Sequence, residues 1–236
     1  MTASSEDRPG DSVRLRRSAI GGIVFVVLQL VSIVLEGTPP KTDAAAADVT
    51  AYFRQHAGSV KVAELVGALA MIGLLWWLVG WWRVAHNGAN DEAACVTVAS
   101  IALSIALTLA LLHGALFATA SLRADALGSQ TLGLFILSYV VILTGGVGLF
   151  AFLTLAATVN RRTRRFPAWT DTIAEISAAA FLVGTFGTVS TATVLEVFGY
   201  LSFLAWCVWI LAITASLWRL SRASTRDLTD VTMAGS

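Results

Sequence analysis

The sequence predicts an all-α integral membrane protein. We expect a bundle of six transmembrane helices with both termini cytoplasmic, and a short outer amphipathic helix between helices 1 and 2. Three observations predict this: scarce charge, six long apolar stretches, and one-sided placement of arginine and lysine. Of the 236 residues, 56% are hydrophobic and only 13% are charged, whereas about a quarter of an average soluble domain is charged. Lipid must therefore be part of the solvent.

Six stretches are long enough to cross a bilayer, because a spanning helix needs about 20 mostly apolar residues. They are residues 18–35, 60–82, 94–119, 132–159, 172–193 and 198–218. They form one six-helix transmembrane domain, residues 18–220. Residues 1–17 and 221–236 are polar and unpatterned, which predicts a disordered cytoplasmic N-terminus and a disordered cytoplasmic tail.

Basic residues give the orientation, since cytoplasmic loops carry an excess of lysine and arginine. With the N-terminus inside, twelve of the 16 basic residues fall in inner segments and four in outer segments. The inner residues are Arg8, Arg14, Arg16, Arg17, Arg83, Arg161, Arg162, Arg164, Arg165, Arg219, Arg222 and Arg226. The outer residues are Lys41, Arg54, Lys61 and Arg123. This bias predicts a multi-pass protein of the cell membrane.

The segment GLLWWLVGWWRVAH, residues 73–86, carries four tryptophans and then an arginine. Trp81 and Trp82 fall at a predicted inner boundary, as do Trp169 and Trp218, and aromatic rings favour the headgroup level there. A ligand site would gather the rings on one face of the helix, and these are spread around it. We interpret them as an aromatic belt; a ring-lined binding site is the alternative.

The outer segment between the first two spans contains a short helical pattern. Val49, Tyr52, Phe53 and His56 fall at i, i+3, i+4 and i+7, which places them on one apolar stripe. The helix either lies on the lipid surface or lids the bundle. We favour the lipid surface.

The inner loop RRTRRFPAWTD carries four arginines, Arg161, Arg162, Arg164 and Arg165. Each adds about 1 kcal/mol of attraction to anionic lipid. We expect them to contact headgroups of the inner leaflet; orientation alone explains the cluster, and a specific anionic partner is the alternative. Glu175 lies one turn inside this end and is expected to reach Arg164 or Arg165.

Small residues draw a seam along the fifth predicted helix. Ser177, Ala180, Gly184, Gly187 and Thr191 are spaced 3, 4, 3 and 4 apart. Helices in lipid associate through such residues, because lipid supplies no hydrophobic driving force between them. Another helix is expected to approach closely along this seam.

Polar side chains inside spans are expensive, and they are therefore the best functional candidates. The set consists of Gln29, Ser32, Glu36, Glu64, His113 and Glu196. The first three recur at i, i+3 and i+7 on one helix face, and the four ionisable residues fall toward the outside. One interpretation is an outward-facing pocket whose carboxylates and imidazole bind a cation or exchange protons. The other, which we favour, places the glutamates in water at the headgroup level and hydrogen-bonds His113 to a neighbouring helix.

Enzyme motifs are absent from the sequence. It has no P-loop, no H-E-x-x-H, no G-x-S-x-G and no metal-type cysteine pair. Only His113 among the three histidines lies in a span, whereas a bis-histidine haem needs two. We therefore expect no enzyme activity, no cofactor and no metal. A net charge of +1 provides no basic field for nucleic acid.

Three short motifs carry a resemblance. DVTAYFRQH before the second span, RVAHNG after it and RRFPAW before the fifth resemble a family of uncharacterised six-span actinobacterial membrane proteins, a domain of unknown function. The resemblance covers most of the chain and implies localisation and helix count. It implies no functional residues.

Two function classes stay open on the sequence alone. The first, which we favour, is an accessory or scaffolding subunit that packs against another membrane protein or a second copy through the seam. The second is a carrier for a small solute, cation or proton that uses the polar set. Carriers often show internal repeats and broken helices, and here only the glycines of residues 145–148 could mark a break.

Overall fold

The computed structural model describes the backbone of residues 9–86, 90–188 and 193–234, and the side chains of residues 12–86, 91–188 and 197–223. These parts of the chain form helices α1 (Pro9–Glu36), α2 (Ala46–Gln55), α3 (Ala57–His86), α4 (Asn90–Leu127), α5 (Gln130–Thr163), α6 (Trp169–Thr185) and α7 (Thr193–Ala234). A single 3-10 turn, Phe186–Thr188, follows α6. No strand occurs within the described ranges, so the all-α prediction is confirmed.

Five helices, α1, α3, α4, α5 and α7, are long and apolar enough to cross a membrane. Multi-pass membrane character is therefore confirmed. The remaining predicted span corresponds to α6, which has 17 residues and is about 25 Å long, at the lower limit for crossing the hydrocarbon. The count of six spans and the orientation stay predictions.

The terminal helices are longer than the predicted spans. Helix α1 begins at Pro9 rather than at residue 18, and α7 continues to Ala234 rather than ending at residue 218. Of the predicted disordered termini, residues 1–8 and 235–236 lie outside the described residues. Polar residues at a helix end do not stop the backbone hydrogen bonding of the apolar segment beside them, so composition did not place these boundaries.

The six long helices form a closed ring. Each packs against two neighbours, in the order α1, α3, α4, α5, α6, α7 and back to α1, and short connections make successive helices antiparallel. Helix α5 is continuous through residues 145–148, so the glycines there mark no break. An apolar core rich in aromatic side chains fills much of the interior of the ring.

The aromatic core corrects the belt interpretation for part of the tryptophan segment. Trp77 and Trp81 are fully buried. The Trp77 ring packs edge-on against Trp209, and the Trp81 ring against Phe152, with centroids 5.6 and 5.3 Å apart. Trp82 is 38% exposed, as a belt residue would be. Tryptophan therefore occupies two environments on α3: Trp77 and Trp81 lie in the core, and Trp82 lies on the exposed surface.

Two glycines allow a close backbone contact between α1 and α3. A β-carbon added at Gly21 would lie 2.6 Å from the carbonyl oxygen of Gly73, and one added at Gly73 would lie 2.7 Å from that of Gly21. Only glycine permits this approach, which brings the two backbones together for dispersion contacts in lipid. The pattern of small residues in the sequence predicts such a seam on a different helix, α6.

The predicted seam lies on α6 and is used within the chain. Ser177 is fully buried and Gly184 is buried. A β-carbon at Gly184 would lie 3.6 Å from the Cα atom of Gly199 on α7, and one at Gly187 would lie 3.2 Å from a methyl group of Leu143 on α5. Ala180 is half-buried, and Thr191 lies outside the described residues.

Helix α2 lids one end of the bundle, which corrects the favoured interpretation that it lies on lipid. Phe53 is fully buried, with its ring 4.9 Å from Phe117 of α4 and 6.0 Å from Phe135 of α5. The hydroxyl of Thr50 donates to the Gly128 carbonyl at 3.2 Å. An aromatic stripe pairs more specifically with other rings than with lipid tails.

The loop between α5 and α6 is held by Asn160 at the end of α5. Its Oδ1 atom accepts the Phe166 N–H at 2.7 Å, and its Nδ2 atom donates to Oδ1 of the buried Asp171 at 2.6 Å. Glu175 forms an ion pair with Arg161, so its predicted partners, Arg164 or Arg165, were wrong. One turn of helix separates Glu175 from the loop, which brings it beside the end of α5 rather than beside the loop.

Candidate functional site

A cavity of about 510 Å³ lies between α1, α3 and α4 at the end of the bundle that α2 lids. Five of the six predicted polar residues line it: Gln29, Ser32, Glu36, Glu64 and His113. The side chain of the sixth, Glu196, lies outside the described residues. The helical spacing of the α1 residues explains why they meet in one place.

Helix α1 supplies the first polar wall. The Ser32 hydroxyl donates to the Ala63 carbonyl of α3 at 2.8 Å, which ties the two helices together beside the cavity. Gln29 lies one turn deeper, and its buried Oε1 atom has no hydrogen-bond partner within the described part of the chain. A buried acceptor without a partner costs about 1–3 kcal/mol, which a donor in the cavity would offset.

Helix α3 supplies the carboxylate of Glu64, which lies against α4. A β-carbon at Gly114 would lie 2.5 Å from Oε2 of Glu64, so the absence of a side chain there makes room for the carboxylate. Two ion pairs between described side chains, Arg54–Asp125 and Arg161–Glu175, involve no cavity residue. The exposed Lys61 lines the cavity three residues before Glu64, without an ion pair to it.

His113 lines the cavity from α4 and is fixed by a neighbouring helix. Its Nδ1 atom lies 3.0 Å from the Ser138 carbonyl oxygen of α5, so Nδ1 is the donor, and in the neutral ring Nε2 is left as an acceptor. The ring contacts Phe117, with centroids 5.4 Å apart. The predicted hydrogen bond to a neighbouring helix is therefore present in the same residue that lines the cavity.

The remaining walls are apolar and open sideways. Leu65 and Leu122 line the cavity and are each 61% exposed, and Leu111, Ala68 and Ala115 are exposed beside them. These residues belong to α3 and α4, which pack less closely than other neighbouring pairs of the ring. The mouth of the cavity therefore lies between α3 and α4, on the apolar flank of the bundle.

Tyr52 connects the lid to the cavity. Its hydroxyl donates to the Glu36 carbonyl at 2.8 Å, which fastens α2 to the end of α1. Burial raises the pKa of the Tyr52 phenol, and the carboxyl groups of Glu36 and Glu64 raise it further. The phenol therefore keeps its proton and remains a donor beside the two glutamates.

Lys61 was predicted on the outer side, as were the glutamates, and it lines the cavity with Glu36 and Glu64. The roles of Gly114, Ser138 and Tyr52 were missed. Tyr52 lay on the recognised stripe of α2, so the stripe carried a signal for it. Gly114 and Ser138 gave no signal, because a glycine and a backbone carbonyl acquire their roles only when two helices meet. Among the described residues, no three histidine, cysteine or acidic side chains gather as a metal site requires.

No family model matches the chain, and neither a curated protein nor a solved structure matches it. The resemblance to an actinobacterial family stays a prediction. The cavity therefore has to be interpreted from its own chemistry: carboxylates, an amide oxygen and an imidazole nitrogen, which are acceptors, facing apolar walls.

Proposed function

We propose that the chain is a membrane carrier that binds a small cation in the cavity between α1, α3 and α4. One observation supports this above the others: the Glu64 carboxylate lies in the cavity, against Gly114, and no described basic residue forms an ion pair with it. A carboxylate in low dielectric attracts a cation far more strongly than one in water. Glu36 adds a second carboxylate to the same cavity.

The depth of the cavity supports a carrier rather than a surface site. Along α3 its lining runs from Lys61 to Met71, a rise of about 15 Å, which is about half of the hydrocarbon thickness. The aromatic core of Trp77 and Trp209 fills the other half of the ring. Glu64 lies one turn of α3 below Lys61, so a cation bound there lies in the outer part of the span, and movement of that core would open the rest of the path.

The orientation and location are part of the same proposal. We place six spans in the cell membrane, with α2 and the cavity on the outer side, because twelve of 16 basic residues belong to the opposite side. The exposed arginines Arg161, Arg162, Arg164 and Arg165 then face the anionic inner leaflet. Accessory function through the α6 seam has less support, since Ser177 and Gly184 are buried within the chain.

The test uses purified protein in detergent and in liposomes. Binding is measured by calorimetry with Na⁺, K⁺, methylammonium and hexylammonium, and transport by counterflow of the labelled cation against protein-free liposomes. We expect at least one of these cations to bind and to exchange, and Glu64→Gln to abolish both. Glu175→Gln is the matched control, because that glutamate is paired with Arg161 at the opposite end. If none of the four cations shows Glu64-dependent binding, the proposal is wrong.

A further inference from the structure

We infer that the ligand of this cavity is a protonated primary amine with an apolar body, which enters sideways between α3 and α4. The inference rests on the proposed cation binding and names its substrate class. The cavity combines polar atoms of α1, α3 and α4 with apolar side chains and a mouth on the flank of the bundle.

The polar atoms that line the cavity suit an ammonium group. A primary ammonium carries three N–H donors and no acceptor. The cavity offers the carboxylates of Glu64 and Glu36, and Gln29 adds a buried Oε1 atom that lacks a partner among the described residues. His113 donates from Nδ1 to Ser138, so its other ring nitrogen is an acceptor as well. Acceptors for the three donors are therefore available on α1, α3 and α4.

The rest of the cavity suits a hydrocarbon body. Its volume of about 510 Å³ falls within the range of about 300–1,000 Å³ that is typical of sites for drug-sized ligands. A bare inorganic ion would leave most of that volume either filled with water or empty. Leu65, Met71, Leu111, Leu122 and Ile142 supply apolar walls. Hard inorganic cations prefer oxygen ligands on every side, which these walls do not provide.

The mouth matches the way an amphipathic amine lies in a bilayer. Such a molecule keeps its charged head at the interface and its body in hydrocarbon. In the cavity, Glu36 and Glu64 lie in the outer part of their helices, nearer the lidded end, and the exposed side chains of Leu65, Ala68 and Ala115 line the opening on the flank. An amine therefore reaches the carboxylates by moving sideways at its own depth.

Lys61 is the one described basic residue of the cavity lining, and it does not take the place of the ligand. It is exposed at the rim, and it forms no ion pair with Glu36 or Glu64. The two carboxylates of Glu36 and Glu64 and the ammonium group of Lys61 give the cavity lining a formal charge of −1 when all three are ionised. Cations are therefore favoured over anions even with Lys61 in place.

The experiment compares methylammonium, hexylammonium and hexanol by calorimetry on the detergent-solubilised full chain. We expect hexylammonium to bind at least about tenfold more tightly than methylammonium, since each buried methylene is worth up to about fourfold. Hexanol should not bind detectably, and Glu64→Gln should abolish hexylammonium binding. Lys61→Gln should leave it unchanged or tighten it.

A pair of bulky variants tests the mouth. Ala115→Phe should weaken hexylammonium binding at least about tenfold, by loss of the space that two or more methylenes occupy, and should spare methylammonium. Ala179→Phe, at an exposed alanine of α6 away from the cavity, should change neither. Native secondary structure and an unchanged melting temperature show that each variant is folded.

The outcomes separate this inference from the proposed function. Equal affinity for methylammonium and hexylammonium, or binding of Na⁺ or methylammonium alone, overturns the amine inference and leaves cation binding intact. Hexanol binding as tightly as hexylammonium, or hexylammonium binding that survives Glu64→Gln, also overturns the inference. Lost hexylammonium binding in a folded Lys61→Gln variant also overturns the inference, because the lysine would then be part of the binding site. If no cation binds in a Glu64-dependent way, both proposals are wrong.

Discussion

The carboxylate of Glu64 on α3 lies directly over Gly114 on α4, where a β-carbon would approach Oε2 to 2.5 Å. This relationship explains how a charged group reaches the cavity between two apolar helices: one helix omits a side chain where the other places a carboxylate. His113 stands next to that glycine in the chain, so the carboxylate and the imidazole line the same cavity.

Gly114→Ala is expected to displace the Glu64 carboxylate and to weaken cation binding at least about tenfold, which corresponds to about 1.4 kcal/mol. Gly133→Ala is the matched control on a neighbouring helix, because nothing lies within 4 Å of a β-carbon there. Both variants are compared with wild type by calorimetry with methylammonium and hexylammonium. Equal affinity in the two variants would show that the fit of Glu64 against Gly114 has no part in binding.

Tyr52→Phe is expected to remove a pH dependence of stability above about pH 10. The folded pKa of the Tyr52 phenol is raised by burial and by the two glutamates, whereas the unfolded value is about 10. The stabilisation is therefore complete below about pH 10 and is lost as the pH rises toward the folded pKa. The difference between the melting temperatures of the two proteins, measured across this pH range, isolates the titration of Tyr52 from that of the lysines. Parallel curves for wild type and variant would contradict the assignment.

Phe53→Ala is expected to undock α2 from the bundle. The ring is fully buried between Phe117 and Phe135, and truncation of such a ring costs about 3–5 kcal/mol. Hydrogen exchange of the α2 amides should rise while the other helices stay protected. Arg54→Ala removes only an ion pair whose side chains are 52% and 89% exposed, so it should cost about 0–1 kcal/mol. Unchanged α2 protection in Phe53→Ala would mean that α2 does not dock.

Asn160→Ala is expected to loosen the loop between α5 and α6. The variant leaves the Phe166 N–H and the buried Asp171 carboxylate without the partner that Asn160 provides. Each lost partner lowers the free energy of unfolding by about 1–3 kcal/mol. Limited trypsin cleavage after Arg164 and Arg165 should accelerate. Arg162→Ala, at an exposed residue in the last turn of α5, serves as the control. Equal cleavage rates in the two variants would exclude a holding role for Asn160.

The fold class and the polar set followed from sequence because they depend on local pattern. Apolar length predicts a spanning helix, and the spacing of Gln29, Ser32 and Glu36 puts them on one face whatever surrounds the helix. Glu64 and His113 were singled out because charge within a span is costly. All five line one cavity.

The helix contacts did not follow from sequence, because lipid and protein core are equally apolar. Trp76 and Trp77 are adjacent and chemically identical, yet Trp76 is 56% exposed and Trp77 is fully buried. Hydropathy cannot separate them, since a lipid-facing ring and a core ring leave water alike. For the same reason the tight glycine contact of α1 with α3 was missed while the seam on α6 was noticed.

Difference infrared spectroscopy tests the central claim most directly, because it observes the carboxyl group that is proposed to hold the cation. Spectra of the wild-type protein with and without methylammonium or hexylammonium should differ in the carboxyl stretching region. The account predicts that this difference signal disappears in Glu64→Gln and persists in Glu175→Gln. An identical difference signal in Glu64→Gln would contradict the account, since the cation would then be held elsewhere.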